Sequence, residues 1–213
     1  MKPYPDLTAY VRDLFVPRDA ELEAILEEIP STGLPAISIK PEEGRFLQFL
    51  VRAISARRAL EIGTLGGYSG IWIARGLAPG GRLLTLEVEA KHAQVARQNF
   101  IRAGVADLVE IRMGNAHQSL QELSGEPEFD FIFIDAEKTG YPAYMDWALE
   151  HVRLGGVIAA HNAFRKGSVA GLAAQDQYTE VTDAFNRKAA AEARLISTIF
   201  PAGDGTLVAV KVS

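Results

Sequence analysis

The sequence predicts an α/β protein, a mostly parallel sheet with helices on both faces and a closing antiparallel hairpin. Three observations carry that expectation. Apolar runs at 59–62, 83–88, 108–112, 130–134 and 156–160 alternate with helical patterns at 69–77, 90–103, 117–123 and 141–151, and such alternation builds a parallel sheet. The first run stops at Gly63 in Ala59-Leu60-Glu61-Ile62-Gly63-Thr64-Leu65-Gly66-Gly67-Tyr68-Ser69-Gly70, a strand, a glycine turn and a helix start of the kind that holds nucleotide-type cofactors. Near the C-terminus, Leu195–Phe200 and Thr206–Val212 flank Pro201-Ala202-Gly203-Asp204-Gly205, a hairpin signature.

Ahead of the alternation the chain reads as helical. Leu7–Phe15 and Asp19–Ile29 carry apolar residues at helical spacing, and Pro30, Gly33 and Pro35 end that segment. Ile37–Pro41 is a short extended piece. Pro41-Glu42-Glu43 has the proline and acids of a first helical turn, and Gly44–Ile54 continues it as an amphipathic helix. A further helix is expected near 180–193. One domain over 1–213 accounts for this order, with an N-terminal helical segment at 1–55 and a sheet core at 56–213.

Composition excludes several classes. The 213 residues contain no cysteine, so disulfides, thiolate metal sites and a cysteine nucleophile are ruled out. A net charge of −5 argues against a general nucleic-acid scaffold. The N-terminus lacks the apolar stretch of a signal peptide, and no uncharged run reaches membrane-spanning length. A cytoplasmic location is expected.

The candidate site residues gather at strand ends. Gly63, Gly66, Gly67 and Gly70 do not make Gly-x-Gly-x-x-Gly, which counts against a nicotinamide dehydrogenase. Glu61 lies inside the turn motif, where a carboxylate suits a cationic ligand better than a pyrophosphate. Glu87 ends the second strand, placed to accept hydrogen bonds from a ribose diol. Met113-Gly114-Asn115-Ala116-His117 ends the third, a small turn against which a flat ring can lie. By itself that segment reads as an ordinary turn. His92, His117 and His151 fall on helical patterns and are expected at the surface.

Phe129-Asp130-Phe131-Ile132-Phe133-Ile134-Asp135-Ala136-Glu137-Lys138 delivers acids and a lysine at the carboxyl end of a buried strand, where open parallel sheets bind ligands. Asp135 is the leading carboxylate. Lys138 can serve as a base if its pKa is lowered. The next strand ends in His161-Asn162, so Asp135, His161 and Asn162 converge as a carboxylate, an imidazole and an amide, a set able to hold a divalent cation.

With these residues assembled, the chain resembles the cation-dependent class I S-adenosylmethionine O-methyltransferases of the catechol and caffeoyl-CoA group. The matches are Ile39-Lys40-Pro41-Glu42-Glu43-Gly44 with Arg45-Phe46-Leu47, Glu61-Ile62-Gly63-Thr64 with Gly67-Tyr68-Ser69, Ala103-Gly104-Val105, and Phe133-Ile134-Asp135-Ala136 with Lys138. Tyr141-Pro142-Ala143-Tyr144 and Phe200-Pro201-Ala202-Gly203-Asp204-Gly205 complete them. The resemblance implies a Rossmann-like class I methyltransferase sheet and S-adenosylmethionine as cofactor. It implies cofactor contacts by Ile37, Glu61, Gly63, Thr64, Ser69, Glu87, Asn115, Ala116, Asp135 and Tyr144. Further, it implies metal positions at Asp135, His161 and Asn162, catalytic roles for Asp135, Lys138 and His161, a small-molecule hydroxyl acceptor, and a homodimer built on the N-terminal helices.

The chain departs from the family pattern at three places. The family's Asp-Asn pair is His161-Asn162, which favours a softer transition ion over Mg2+ or Ca2+, with Mn2+ between. Glu137 replaces an aspartate. Arg165 and Lys166 follow where an aromatic residue is common, which suggests a polar or anionic acceptor. Four rival readings follow: metal-free catalysis with His161 as base, methylation of a hydroxylated tRNA base, a non-catalytic S-adenosylmethionine-binding protein, and, least favoured, a dehydrogenase.

Overall fold

The computed structural model describes residues 3–213; Met1 and Lys2, at the start of the stretch read for a leader, lie outside them. The elements run α1 Leu7–Phe15, α2 Ala20–Glu28, α3 Pro41–Ala53, β1 Arg58–Ile62, α4 Tyr68–Gly76, β2 Arg82–Glu87, α5 Ala90–Arg102 and β3 Val109–Met113. They continue with α6 Ala116–Glu122, β4 Phe129–Ile134, α7 Tyr141–His151, β5 Val152–His161, α8 Thr179–Ala191, β6 Leu195–Phe200 and β7 Thr206–Lys211. Within the described residues no helix is long and apolar enough to cross a membrane.

The strands form one seven-stranded sheet in the order β3-β2-β1-β4-β5-β7-β6, parallel except for the antiparallel pairs β5–β7 and β6–β7. Strand order reverses direction at β1, which has β2 on one side and β4 on the other. In open α/β sheets the crevice beyond the carboxyl ends at such a reversal is the ligand position.

Alternate strand residues feed the two faces, as a period of two requires. Ala59, Phe131, Phe133, Val157 and Ala159 pack with α3 and α4, through Leu47, Val51, Ile71 and Trp72. Leu60, Ile62, Ile132, Ile134, Ile158 and Ala160 pack on the opposite side with Leu120, Tyr141, Met145 and Phe185 from α6, α7 and α8. The central strands are buried on both faces, which is why they read as unbroken apolar runs.

The N-terminal helices are tied to this core by charge and by ring stacking. Arg12 of α1 makes a two-pronged pair with Glu42 of α3, at 2.8 and 2.9 Å. Phe46 of α3 stacks on Phe200 of β6, ring centroids 3.9 Å apart. These contacts set the start of α3 at the edge of the sheet's carboxyl end.

β5 differs from expectation, beginning at Val152 rather than at 156. Val152 pairs with Phe129, and the register then shifts before Phe131 meets Val157. The extra residues Arg153, Leu154 and Gly155 carry no apolar run, and Gly155 takes a left-handed φ of 72°. Asp130 holds this irregular corner: its carboxylate accepts the Arg57 and Arg58 backbone N–H groups at 2.8 Å each and the Arg153 guanidinium at 2.5 Å. Burial raises the Asp130 pKa, but Arg153 and the two amides outweigh it and the net shift is downward. Its stabilisation is therefore present above the ordinary carboxylate range and lost as pH falls through the lowered value. Replacing Asp130 by Ala should cost on the order of 2 kcal/mol by stranding those donors, and should flatten the acid limb of stability measured by urea denaturation at several pH values.

Candidate active site

A cavity of about 770 Å³ opens beyond the carboxyl ends of β1, β2, β4 and β5, in the size range of small-molecule and cofactor sites. Gly63 forms its floor. At φ 99°, a side chain there would place Cβ 2.3 Å from the Asp135 carbonyl oxygen, so only glycine lets the β1 and β4 ends close together. Gly63 N–H donates to Leu86 O at 3.1 Å, and Asp135 N–H donates to Ile62 O at 2.9 Å. The following turn is held from several sides. Leu65 takes φ 48°, unusual for a branched residue, and its N–H donates to the Glu87 carboxylate at 2.9 Å. Asn99 of α5 donates to Gly66 O at 2.8 Å.

Glu61 lies under this turn, fully buried. Its carboxylate accepts the Ser69 hydroxyl at 2.5 Å and the Thr85 hydroxyl at 2.7 Å, and Thr85 is bonded in turn to Thr64 at 2.6 Å. Burial pushes its pKa up to about 7, against the pull of the two hydroxyls. Glu87 is held differently, accepting Leu65, Val88 and Glu89 N–H groups at 2.9 Å each, with His92 Nδ1 3.5 Å away.

Ile37, Gly63, Thr64, Ser69, Glu87, Asn115, Ala116, Asp135, Lys138, Tyr144 and Asn162 line the cavity, as expected of one site. Glu61 and His161 do not: each sits behind the wall, bonded to a residue that does line it or charged against one. The Asn115 side chain caps α6, accepting from His117 N–H at 3.0 Å, so Gly114, Asn115 and Ala116 are at once an ordinary turn and part of the wall. Tyr144 donates to Glu137 and stacks on His117, centroids 4.7 Å apart.

At the other end of the cavity, Lys138 Nζ lies 3.2 Å from Asp135 Oδ1 and donates to the Tyr141 hydroxyl. That hydroxyl is 3.2 Å from both the Ile134 and the His161 carbonyl oxygens. Burial lowers the Lys138 pKa, partly offset by Asp135. Burial works the other way on Asp135, yet Lys138 and His161 bring it down to about 2.

His161 links two carboxylates. Nε2 is 2.9 Å from Glu43 Oε1. Nδ1 is 3.3 Å from Asp135 Oδ2, off the line of a directed hydrogen bond, so this contact is an ion pair. Burial would lower the imidazole pKa, but the two carboxylates raise it to about 10. With a carboxylate oxygen at each ring nitrogen, neither faces an open ligand position. Asn162 is also engaged, donating to Asp204 Oδ2 at 3.0 Å. Each residue expected to ligate a divalent cation is thus already engaged, His161 with Glu43 and Asp135, and Asn162 with Asp204. Among the described residues no three His, Asp or Glu side chains are arranged to hold an ion. The set does not fit the cation that the resemblance implied.

Three participants escaped the sequence reading. Thr85 falls within an apolar run and Glu43 in the first turn of a helix that also carries a family match; their partners lie 24 and 118 positions away, beyond any local pattern. His92 was expected at the surface, but it lines the cavity. Arg165, which with Lys166 suggested a polar or anionic acceptor, lines the cavity as Lys166 does, pairs with Asp176 at 2.6 Å and lies over the Tyr178 ring.

Comparison with known proteins decides the family. The family model described as O-methyltransferase matches residues 17–212. The chain belongs to the O-methyltransferase family. It is 48% identical over 165 residues to a catechol O-methyltransferase of Mycobacterium tuberculosis, covering 78% of this chain and 74% of that protein. Among solved structures, a putative O-methyltransferase from Klebsiella pneumoniae is 42% identical with a TM-score of 0.89, covering 97% of this chain and 96% of the other. The O-methyltransferase from Bacillus cereus in complex with SAH is 44% identical with a TM-score of 0.88, covering 96% of each chain. The expected family, the enzyme class of S-adenosylmethionine-dependent O-methyltransferases and the sheet architecture are borne out.

Glu61 gives a pH prediction. Its folded pKa of about 7 exceeds the ordinary 4.5, so the folded state holds a proton that the unfolded chain has released, and stability falls as pH rises through that window. Glu61→Gln should remove this component: the loss of stability between pH 5 and 8, followed by chemical denaturation, should be smaller in the variant than in the parent chain.

Proposed function

We propose that the enzyme transfers a methyl group from S-adenosylmethionine to a hydroxyl oxygen of a small phenolic or related acceptor, with Lys138 as the base. The observation carrying this reading is that Lys138 and Asp135 line the same cavity as the glycine turn at Gly63 and the ribose-type carboxylate Glu87. The cavity residues fit the cofactor: Ile37, Gly63, Thr64 and Ser69 at the amino-acid end, Glu87 at the ribose, Asn115, Ala116 and Tyr144 around the adenine. Buried Glu61 supports Ser69 and Thr85 beneath it and adds a carboxylate close to a cationic ligand.

S-adenosylmethionine, when bound, supplies a methyl group on a sulfonium and departs as the neutral thioether. The chain's own residues handle the proton. With its pKa lowered by burial, Lys138 accepts the acceptor's hydroxyl proton at Nζ, and the oxygen's electron pair forms the new bond to carbon. The ammonium so formed stays against Asp135 Oδ1, already 3.2 Å away. Holding both partners in one cavity supplies much of the remaining acceleration.

A small acceptor is preferred to tRNA, because Arg165 is tied to Asp176 and leaves Lys166 as the remaining cation of that pair. The exposed Leu7, Leu14 and Phe15 of α1 support pairing with a second copy of the chain, which sedimentation of the protein and of a Leu14→Glu variant would test.

The test of the activity is a methyl-transfer assay over phenolic, acyl-CoA and tRNA acceptors. Phenolic turnover supports the reading; turnover confined to tRNA, or S-adenosylmethionine binding with no turnover at all, refutes it. Lys138→Met should lower kcat by about a hundredfold or more while calorimetric binding of S-adenosylmethionine is retained. In the parent enzyme kcat should rise with pH as Lys138 loses its proton, and that rise should vanish in the variant.

A further inference from the structure

The commitment of His161 on both sides has a chemical meaning beyond a missing metal site. His161 sits at the back of Asp135, with Nδ1 3.3 Å from Oδ2, while Lys138 faces Oδ1 at 3.2 Å. Both carboxylate oxygens of Asp135 therefore already face a nitrogen of the chain.

The second carboxylate, Glu43, fixes the ring. Glu43 is N3 of α3, and its Oε2 accepts Lys40 N–H at 2.7 Å, the carboxylate half of a capping box. That bond orients Oε1 toward His161 Nε2, 2.9 Å away. The Gly203 backbone packs directly on this carboxylate, with no room there for a Cβ. Glu43 and His161 are 2% and 6% exposed, so the ring is locked in an enclosed slot behind the cavity wall. An ion ligated by the ring would have to displace it from Asp135.

We propose that the imidazole ring of His161, clamped by Glu43, takes the place of the divalent cation, making this a metal-independent O-methyltransferase in which the group that holds Asp135 is covalently built in. His161 is then a positioning residue: it holds Asp135, and through it the base Lys138, without touching the acceptor. The proposal rests on the methyl-transfer reading for its kinetic consequences, but its binding consequences are independent of it.

The test has two arms on the full-length protein. In the first, Mn2+ and Zn2+ are titrated into the parent chain and into His161→Asp, with Mn2+ followed by electron paramagnetic resonance and Zn2+ by calorimetry. The parent should take up neither ion at this site, whereas the variant, having exchanged imidazole for carboxylate, should bind Mn2+. In the second, turnover is measured with and without exhaustive chelation. Parent turnover should be unchanged. H161D should lose about tenfold or more in kcat in chelator, by weakened charge placement around the base, and recover on addition of Mn2+, a rescue that a merely structural role would not produce. Parent binding of either ion that is abolished by Asn162→Ala, or parent turnover lost to chelator and restored by metal, overturns the proposal. If H161D does not fold, the parent titrations and the N162A control decide alone. If no acceptor is methylated, the methyl-transfer reading fails while the titrations still decide this one.

Discussion

The site depends on a buried chain of charges, Glu43–His161–Asp135, that joins three parts of the fold. Glu43 begins α3, Asp135 follows β4 and His161 ends β5, so one imidazole ring holds the N-terminal helical segment against two strand ends. Breaking a buried ion pair by removing one partner typically costs about 3–5 kcal/mol, because the other charge is left stranded. Here the ring has two such partners and Asp135 has a second cation in Lys138. The four groups pack as a unit. On the cavity side, Asp135 holds Lys138 and the His161 backbone carbonyl helps seat the Tyr141 hydroxyl, while burial lowers the Lys138 pKa against the pull of Asp135.

The cofactor half of the cavity is built by a different device, the close approach of backbones. Gly63 brings the β1 and β4 ends together, and Glu87 collects three amides of the surrounding turns. A carboxylate held by three N–H donors is fixed in place before any ligand arrives, which lowers the ordering cost of binding. Beneath the turn, Glu61, Ser69, Thr85 and Thr64 form a polar chain in which the carboxylate is the one titratable group. The two halves therefore differ in character: preset hydrogen bonds at the cofactor end, paired full charges at the reaction end.

Much of this was legible in the sequence, for physical reasons. Central strands buried on both faces appear as apolar runs, and the glycine turn announces itself because Gly63 and Gly67 adopt φ values that other residues rarely reach. The hairpin was legible from its turn residues. The early start of β5 was not, because Arg153 to Gly155 enter the strand through a bulge and an ion pair rather than by burial. Nor was the fate of His161. As a residue type at a strand end it suits metal ligation, and only the fold reveals that Glu43 reaches its far nitrogen. Asp204 shows the same limit: in sequence it is a turn residue, whereas in space it receives Asn162.

That last contact bears on how such a protein can diversify. Asp204 accepts both the Asn162 side chain and the Lys166 backbone N–H, and Ala163 and Phe164 donate to the Gly205 and Asp204 carbonyls at 3.0 and 2.9 Å. The segment after β5, which faces the acceptor end of the cavity, is thus laced to a hairpin turn about forty residues later in the chain. Exchanging the hairpin turn alone leaves the donors of 162–166 unpaired, and exchanging 162–166 alone leaves the acceptors of the turn unpaired. An engineer grafting a new acceptor loop, or a lineage drifting toward a new substrate, has to treat residues 162–166 and 203–205 as a single inherited cassette.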